Sequence, residues 1–490
     1  MSETMRQDRW RPFLIALLGL LAVAILARAV FAPENHDEAQ YVASAVLTAD
    51  GWLIFRDFMS LQAPVHALVF APIARLFPHD VYLAMRLATA LCGFGVLAVV
   101  WATLSRMRVS PAAALLGVIG LGGCAAFQFS GSIVRNDMLA TLFLAGAIWG
   151  LLARRNWALF GLFVGLAVAT KLSFAPYLLA SGTLLIRQSG RNVLRFAGGT
   201  AVGLAPLVIC TAVARHEAWY GMVEFGAVAP FHWYGANGMG AKIGVLAKVL
   251  DTLESAVQGP ALLAALVVAV KGRRGGFEGH ALRVLTFAGL LGALIPTPTH
   301  LPYLMPLLPP LFILFAMTVD RMPAGATRRW VVALALLLVT AGSVKSVKIL
   351  VRAPAPKGNA LTITSQTQWI AATIRAHGLS GPIVTLSPHR AAGAGLILDR
   401  RFATGPFVYR SGVLLSPERA KRLAVATPAT LDKQLDAAPP AAILTGYEGR
   451  SRKFTIDPDR TLIAYAQAHN YRPVALPDGL GTLHLRPARR

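Results

Sequence analysis

The residues best suited to chemistry in this chain are carboxylates that follow its first apolar segment. Glu34, Asp37 and Glu38 come directly after an apolar run over residues 12–31, in a chain with 47 Lys and Arg but only 23 Asp and Glu. A carboxylate at the end of a membrane helix is stable where water reaches it, and there it can act as a general base on a hydroxyl. The alternative is that Asp37 caps the next helix, because carboxylates favour helix N-termini.

A second group of charged residues lies between later apolar segments. Together, Arg135 and Asp137 could orient an acceptor and hold a phosphate. Alternatively, Arg135 extends to lipid headgroups and Asp137 caps a helix. Lys171 interrupts a long apolar run. It is either a phosphate ligand or a turn lysine at the membrane interface.

Polar residues also occur in two later stretches. Residues 215–240 contain Trp and Tyr side chains typical of an aromatic belt at the membrane interface. Such a belt does not account for an acidic residue, Glu224, in the same stretch. His300 precedes four prolines between positions 302 and 310. A helix broken by proline is tolerated in a membrane where its freed backbone groups meet protein or a wet cavity. Glu224 and His300 are therefore candidate binding residues.

The composition predicts that the elements holding these residues are membrane helices. The chain has 490 residues, of which 55% are hydrophobic and 14% charged, whereas about a quarter of the residues in soluble domains are charged. The net charge of +24 does not indicate nucleic acid, because the basic residues are scattered between apolar runs. The three cysteines lie inside apolar segments and do not support a disulfide framework.

The chain is predicted to be a polytopic α-helical membrane protein with about eleven spans. An apolar stretch at 64–77 is too short to span and is predicted to be an interfacial or re-entrant helix. The predicted spans are 12–32, 81–104, 110–130, 137–153, 157–170, 172–187, 196–214, 256–270, 281–297, 302–319 and 331–350.

The distribution of Lys and Arg predicts the orientation. With the N-terminus in the cytoplasm, most loop cations fall on the cytoplasmic side, as the positive-inside rule requires. The stretches with unusual polar residues then all lie outside, including the first outer loop at 33–80. Residues 1–351 are predicted to form the transmembrane domain.

The remaining residues, 352–490, are predicted to form a small extracytoplasmic α/β domain. Helical patterns at 362–377 and 462–470 alternate with short apolar strands. Their sequence contains no glycine-rich phosphate loop and no metal-ligand cluster. The predicted strands are 382–386, 441–445 and 481–485.

Four motifs occur in order along the chain: DEAQY at 37–41, RNDMLATLF at 135–143, GLAVATK at 165–171 and HLPYLMPLLPP at 300–310. Together they resemble the GT-C membrane glycosyltransferases, in particular the branch of protein O-mannosyltransferases and lipid A aminoarabinose transferases. Two positions depart from the aminoarabinose transferases, which have Lys where this chain has Ala63 and Arg where it has Gln40. These differences weaken the assignment of a specific substrate.

The resemblance implies an inverting transfer of a sugar from a polyprenyl phosphate, on the periplasmic face of a bacterial inner membrane. It implies that Asp37 is the base, Glu38 its neighbour and Asp137 a second acid near the active site. Some GT-C relatives use a divalent metal, and Asp37, Asp137 and Glu224 are the candidate ligands for Mg²⁺ or Mn²⁺. No other cofactor is expected. The candidate substrate-binding residues are Tyr41, Arg135, Lys171, Glu224, His300 and Tyr303.

An inverting displacement needs a base on the acceptor hydroxyl and cations on the departing lipid phosphate. The expected acceptor is lipid or lipopolysaccharide core, with protein as the second candidate. The alternatives are a lipid or polysaccharide transporter and a non-catalytic membrane scaffold. A transporter should carry charges at mid-membrane depth and show internal symmetry, and the sequence shows neither. The presence of Asp37 argues against a scaffold.

Overall fold

The computed structural model describes residues 11–272, 275–351, 358–448 and 457–487, without the side chains of Arg11, Lys345 and Leu350. The chain forms two compact units, each assembled from three segments. The first unit comprises Met1–Ala32, Thr89–Pro206 and Gly244–Pro354, and the second comprises Pro33–Ala88, Leu207–Ile243 and Ala355–Arg490.

Some of the sequence-based predictions fall outside the described residues. The predicted domain boundary at 351/352 adjoins 352–357, which are not described, so that division stays a prediction. Four of the arginines that the orientation prediction places on the cytoplasmic side also lie outside the described residues: Arg6, Arg9, Arg273 and Arg274.

The first unit is helical, and two of its helices, Val81–Arg106 and Gly190–Val213, continue into the second unit. Close packing between helices is possible where glycines replace larger side chains. A Cβ added to Gly120 would lie 2.6 Å from the Phe312 ring. The other helices of this unit are Arg11–Phe31, Pro111–Gly122, Ala125–Ser130, Asn136–Leu152, Trp157–Thr170, Pro176–Leu185, Val245–Val257, Ala261–Lys271, Gly276–Leu294, Leu308–Asp320 and Ala326–Val351, with 3₁₀ turns at Leu172–Phe174 and Leu301–Leu304.

Each of the eleven predicted spans coincides with a helix or a broken helix. In the described part of the chain, Pro12–Phe31, Val81–Arg106, Gly190–Val213 and Ala326–Ile349 are long and apolar enough to cross a membrane. Val245–Val257 and Ala261–Lys271 form a further pair, bent by 94°. Other predicted spans are shorter apolar helices, such as Asn136–Leu152 and Trp157–Thr170, so length alone does not establish eleven crossings.

The second unit combines helices with a five-stranded sheet. The sheet order is Ile397–Leu398, Pro382–Thr385, Ala442–Thr445, Thr482–Leu485 and Arg472–Ala475, in which the first three strands are parallel and the last two antiparallel to their neighbours. The helices and helical turns of this unit are Glu38–Ala49, Val65–Leu76, Arg215–Trp219, Tyr220–Glu224, Phe225–Ala236, Gly240–Ile243, Ala360–Ala376, Pro388–Ala391, Arg400–Phe402, Pro406–Arg410, Gly412–Leu414, Pro417–Arg422, Leu431–Ala437 and Asp459–Ala468.

The predicted elements of the C-terminal region are present. The three predicted strands form the centre of the sheet, and both predicted helices occur within two or three residues of the expected bounds. Their apolar side chains form one core that includes Val384, Ile443 and Leu462. The edge strands Ile397–Leu398 and Arg472–Ala475 were not predicted, because the first has only two residues and the second is largely exposed.

Candidate active site

A buried cluster of charges occupies the first unit. Asp137 lies in the first turn of the Asn136–Leu152 helix, and Lys171 follows the end of the Trp157–Thr170 helix, which packs beside it. The side-chain amide of Asn136 donates to the Thr170 carbonyl at 3.0 Å and holds the two helix ends together. Local helix boundaries therefore bring together residues that are 34 positions apart.

Two cations in this cluster share one carboxylate. Arg135 Nε donates to Asp137 Oδ2 at 2.9 Å, and Lys171 Nζ is paired with Oδ1 of the same carboxylate. Their side chains are nearly inaccessible, so Arg135 does not extend outward to the headgroups. The cluster has a net charge of +1, which suits it to an anionic group.

An aromatic side chain completes the cluster in the first unit. The ammonium of Lys171 lies 4.6 Å from the Tyr303 ring centroid, and the Arg135 guanidinium lies 6.0 Å from it. The His300 and Tyr303 ring centroids are 5.8 Å apart. Five of the predicted site residues thus lie together, namely Arg135, Asp137, Lys171, His300 and Tyr303.

In the second unit, Glu38 is a fully buried carboxylate with strong partners. Arg86 donates to both of its oxygens, at 2.8 Å from Nε and 2.5 Å from Nη2, and the Tyr82 hydroxyl donates at 2.7 Å. The side chains of Glu38 and Arg86 are both 0% exposed. Glu38 is therefore placed to hold the start of its helix rather than to contact a substrate.

Glu34 is also held by basic side chains. His389 Nε2 lies 2.6 Å from its carboxylate and Arg390 Nε donates at 2.8 Å, with a second contact from Arg390 Nη2. Burial raises the pKa of Glu34, but the hydrogen bond and charge of His389, together with those of Arg390, outweigh burial and lower the pKa to about 2. The backbone carbonyl of Gly358, a residue with φ +78°, accepts a hydrogen bond from the Glu34 backbone amide. A Cβ added to Gly358 would lie 3.3 Å from both the Glu34 carboxylate and the Arg390 guanidinium.

Asp37 differs from both neighbouring acids. It occupies the N-cap position of the Glu38–Ala49 helix, yet its side chain makes no capping hydrogen bond. Its carboxylate is 23% exposed and lies 3.2 Å from His36 Nε2. The capping role considered from the sequence is therefore not what the structure shows, and this carboxylate is accessible to solvent.

The other two predicted residues of the second unit have different surroundings. Tyr41 is buried, with its ring edge-on to His66 at 5.2 Å. Glu224 pairs with Arg419 at 2.6 Å, and each side chain is 35% exposed. These contacts indicate supporting roles in packing and in surface charge.

The predicted metal ligands do not fit a shared cation. The carboxylates of Asp137 and Glu224 are engaged by basic side chains, which compete with a cation for the same oxygens. No group of three or more His, Cys, Asp or Glu suited to a metal occurs among the described residues. No metal ion is therefore assigned a role in the reaction proposed below.

Sequence reasoning missed Arg86, His389 and Arg390. A signal was available for Arg86, because a charged residue inside an apolar span indicates a buried partner or a function. His389 and Arg390 carry no such signal, since their partner Glu34 is more than 350 positions away along the chain.

Comparison with solved structures identifies the architecture. ArnT from Cupriavidus metallidurans in the apo state matches 98% of this chain and 99% of its own, with a TM-score of 0.58 and 15% identity. The chain has the GT-C fold. The same protein bound to undecaprenyl phosphate gives a TM-score of 0.58 at 16% identity, covering 97% of this chain and 98% of that one. The predicted fold class is confirmed.

A more distant match is the archaeal oligosaccharyltransferase AglB from Archaeoglobus fulgidus, in complex with an inhibitory peptide and a dolichol-phosphate. It is 12% identical, with a TM-score of 0.45, and covers 89% of this chain and 69% of its own. No family model and no curated protein sequence matches the chain.

Proposed function

We propose that the protein is an inverting glycosyltransferase that moves a sugar from a polyprenyl phosphate to an extracytoplasmic acceptor. The observation that carries this proposal is that the Asp37 carboxylate is accessible to solvent and does not cap its helix. The acids on either side of it in the sequence, Glu34 and Glu38, are both held by arginines. A general base needs this combination of access and fixed position. The GT-C fold, found in a protein that binds undecaprenyl phosphate, supports a lipid-phosphate donor.

In the proposed reaction Asp37 accepts the proton of the acceptor hydroxyl. The hydroxyl oxygen forms a bond to the anomeric carbon, and the bond from that carbon to the phosphate oxygen breaks. The electron pair leaves with the polyprenyl phosphate. The positive cluster of Arg135, Asp137 and Lys171 is assigned to the lipid phosphate, whose developing charge it would stabilise.

The substrates are proposed as classes. The donor sugar is a hexose or pentose, and the acceptor is lipid or lipopolysaccharide core, with protein as the second candidate. Reconstitution of the purified protein in liposomes with a polyprenyl-phosphate-linked sugar and a lipopolysaccharide-core acceptor, followed by measurement of released polyprenyl phosphate, tests the proposal. Release that does not exceed the rate in empty liposomes for any donor sugar would argue against it.

Lys171→Ala should reduce kcat or raise the KM for the lipid donor at least tenfold, about 1.4 kcal/mol of transition-state binding. The reason is that the variant removes one of the two cations around Asp137. Lys171→Arg should retain part of the activity, because the charge is kept. The measurement is donor-dependent release of polyprenyl phosphate.

The control for Lys171→Ala is Arg155→Ala. Arg155 also forms an ion pair in the first unit, with Glu278, but its side chain is 56% exposed. Its loss should leave donor kinetics unchanged. Wild-type donor kinetics in Lys171→Ala would mean that Lys171 has a structural role only.

The orientation is also a proposal, with the N-terminus in the cytoplasm and the C-terminal region in the periplasm of a bacterial inner membrane. In a background without the native cysteines, His377→Cys should react with an impermeant thiol reagent in intact spheroplasts, and Arg155→Cys should not. Both positions are exposed. The opposite labelling pattern would reverse the orientation.

A further inference from the structure

The guanidinium of Arg410 lies over two aromatic rings in the second unit. Its central carbon is 4.3 Å from the Trp233 ring centroid and 4.8 Å from that of Phe407. Among the described residues, Arg410 has no ion-pair partner, and its buried Nε has no hydrogen-bond partner. Two other stacked arginines of this unit have carboxylate partners: Arg390 pairs with Glu34, and Arg419 with Glu224.

The charge of Arg410 is not met by an ion pair among the described residues. Burial lowers the pKa of Arg410 to about 10, which leaves it cationic at neutral pH. The acid that faces it is Glu448, whose pKa burial raises to about 8, and the charges of Glu448 and Tyr234 raise the pKa of Arg410 against the effect of burial. An uncompensated cation of this kind favours an anion from outside the chain.

Arg410 is linked to Asp37 through two aromatic side chains of the same unit. The Phe407 ring lies 4.8 Å from the guanidinium and 5.4 Å from the His36 ring, and His36 Nε2 lies 3.2 Å from the Asp37 carboxylate. A group held by Arg410 therefore lies in the neighbourhood of the proposed base. This argument rests on the proposed function of Asp37.

We propose that Arg410 binds an oxyanion, a phosphate or carboxylate, carried by the acceptor, and so selects acceptors in which such a group accompanies the reacting hydroxyl. Guanidinium binds both classes of anion through two parallel hydrogen bonds. Stacking on Trp233 and Phe407 fixes the plane of the guanidinium before the ligand arrives, which reduces the entropy lost on binding.

The test measures binding to the purified full-length protein in detergent by saturation-transfer NMR. The probes are glucose 6-phosphate and glucuronate, with neutral glucose as the reference, and undecaprenyl phosphate as the donor-side anion. Wild-type protein should bind both charged sugars at least tenfold more tightly than glucose. Arg410→Gln should abolish this preference and leave undecaprenyl phosphate binding unchanged, while Arg410→Lys should retain part of the preference.

Arg400→Gln is the matched control. Arg400 is also stacked on a tryptophan of this unit, Trp52, at 4.6 Å, but it is exposed, and its replacement should change no affinity. Thermal unfolding of each variant shows whether it is folded. If Arg410→Gln does not fold, the affinities of Arg410→Lys are used for the test instead.

Three results would overturn the proposal. The first is equal wild-type affinity for charged and neutral sugars, and the second is an unchanged preference in Arg410→Gln. The third is a loss of undecaprenyl phosphate binding in Arg410→Gln, which would assign the anion to the donor. Because binding is measured without turnover, a protein that prefers charged sugars but transfers none would contradict the proposed function and leave the anion site intact.

Discussion

Arg86→Met should destabilise the protein by about 3–5 kcal/mol, because it leaves the buried Glu38 carboxylate without its cation. Arg86 supplies two hydrogen bonds to Glu38, and both side chains are 0% exposed. The hydrogen bonds from Tyr82 and from the Asn35 amide remain, but neither carries a positive charge. The measurement is the free energy of unfolding in detergent, from denaturant titration.

The double variant Arg86→Met/Glu38→Gln should recover most of this loss, since no buried charge then remains unpaired. The matched control is Arg56→Met, which removes the arginine of an ion pair with Asp57 in the same unit. That pair is on the surface, with the Arg56 side chain 52% exposed, so the control should have little effect. If Arg86→Met behaved like Arg56→Met, the Glu38–Arg86 pair would not be the anchor of this helix.

Much of the fold follows from the sequence because the strongest signals are local. Long apolar runs predict helices wherever they occur, and the predicted spans coincide with helices or broken helices. Prolines break the helix before Leu308, and Lys171 separates two predicted spans, and both signals can be seen directly in the sequence. Short strands at the sheet edge lack a local signal, so Arg472–Ala475 was missed.

The partners of the three acids that follow the first apolar helix could not be predicted. Residue type alone does not distinguish Glu34, Asp37 and Glu38, and the contacts that separate them come from residues far along the chain. Arg390 holds Glu34 from 356 positions away, and Arg86 holds Glu38 from 48 positions away. Such pairings depend on tertiary structure, and no periodicity encodes them.

The largest functional effect is expected from Asp37→Asn. Asparagine has nearly the same shape as aspartate but cannot accept the acceptor's proton, so turnover should fall by roughly 10²–10⁴-fold. The fold should be unaffected, because the Asp37 side chain makes no capping hydrogen bond and Asn is accepted at this position in any case. The control is Asp50→Asn, at the other end of the same helix, which should retain wild-type turnover.

The most direct test of the account is the rate of sugar transfer by Asp37→Asn protein at saturating lipid donor, measured beside its donor affinity and thermal unfolding. The account predicts a rate at least a hundredfold below wild type, with donor affinity and unfolding temperature unchanged. A folded Asp37→Asn protein that binds the donor and transfers sugar at the wild-type rate would contradict it and remove Asp37 from the mechanism.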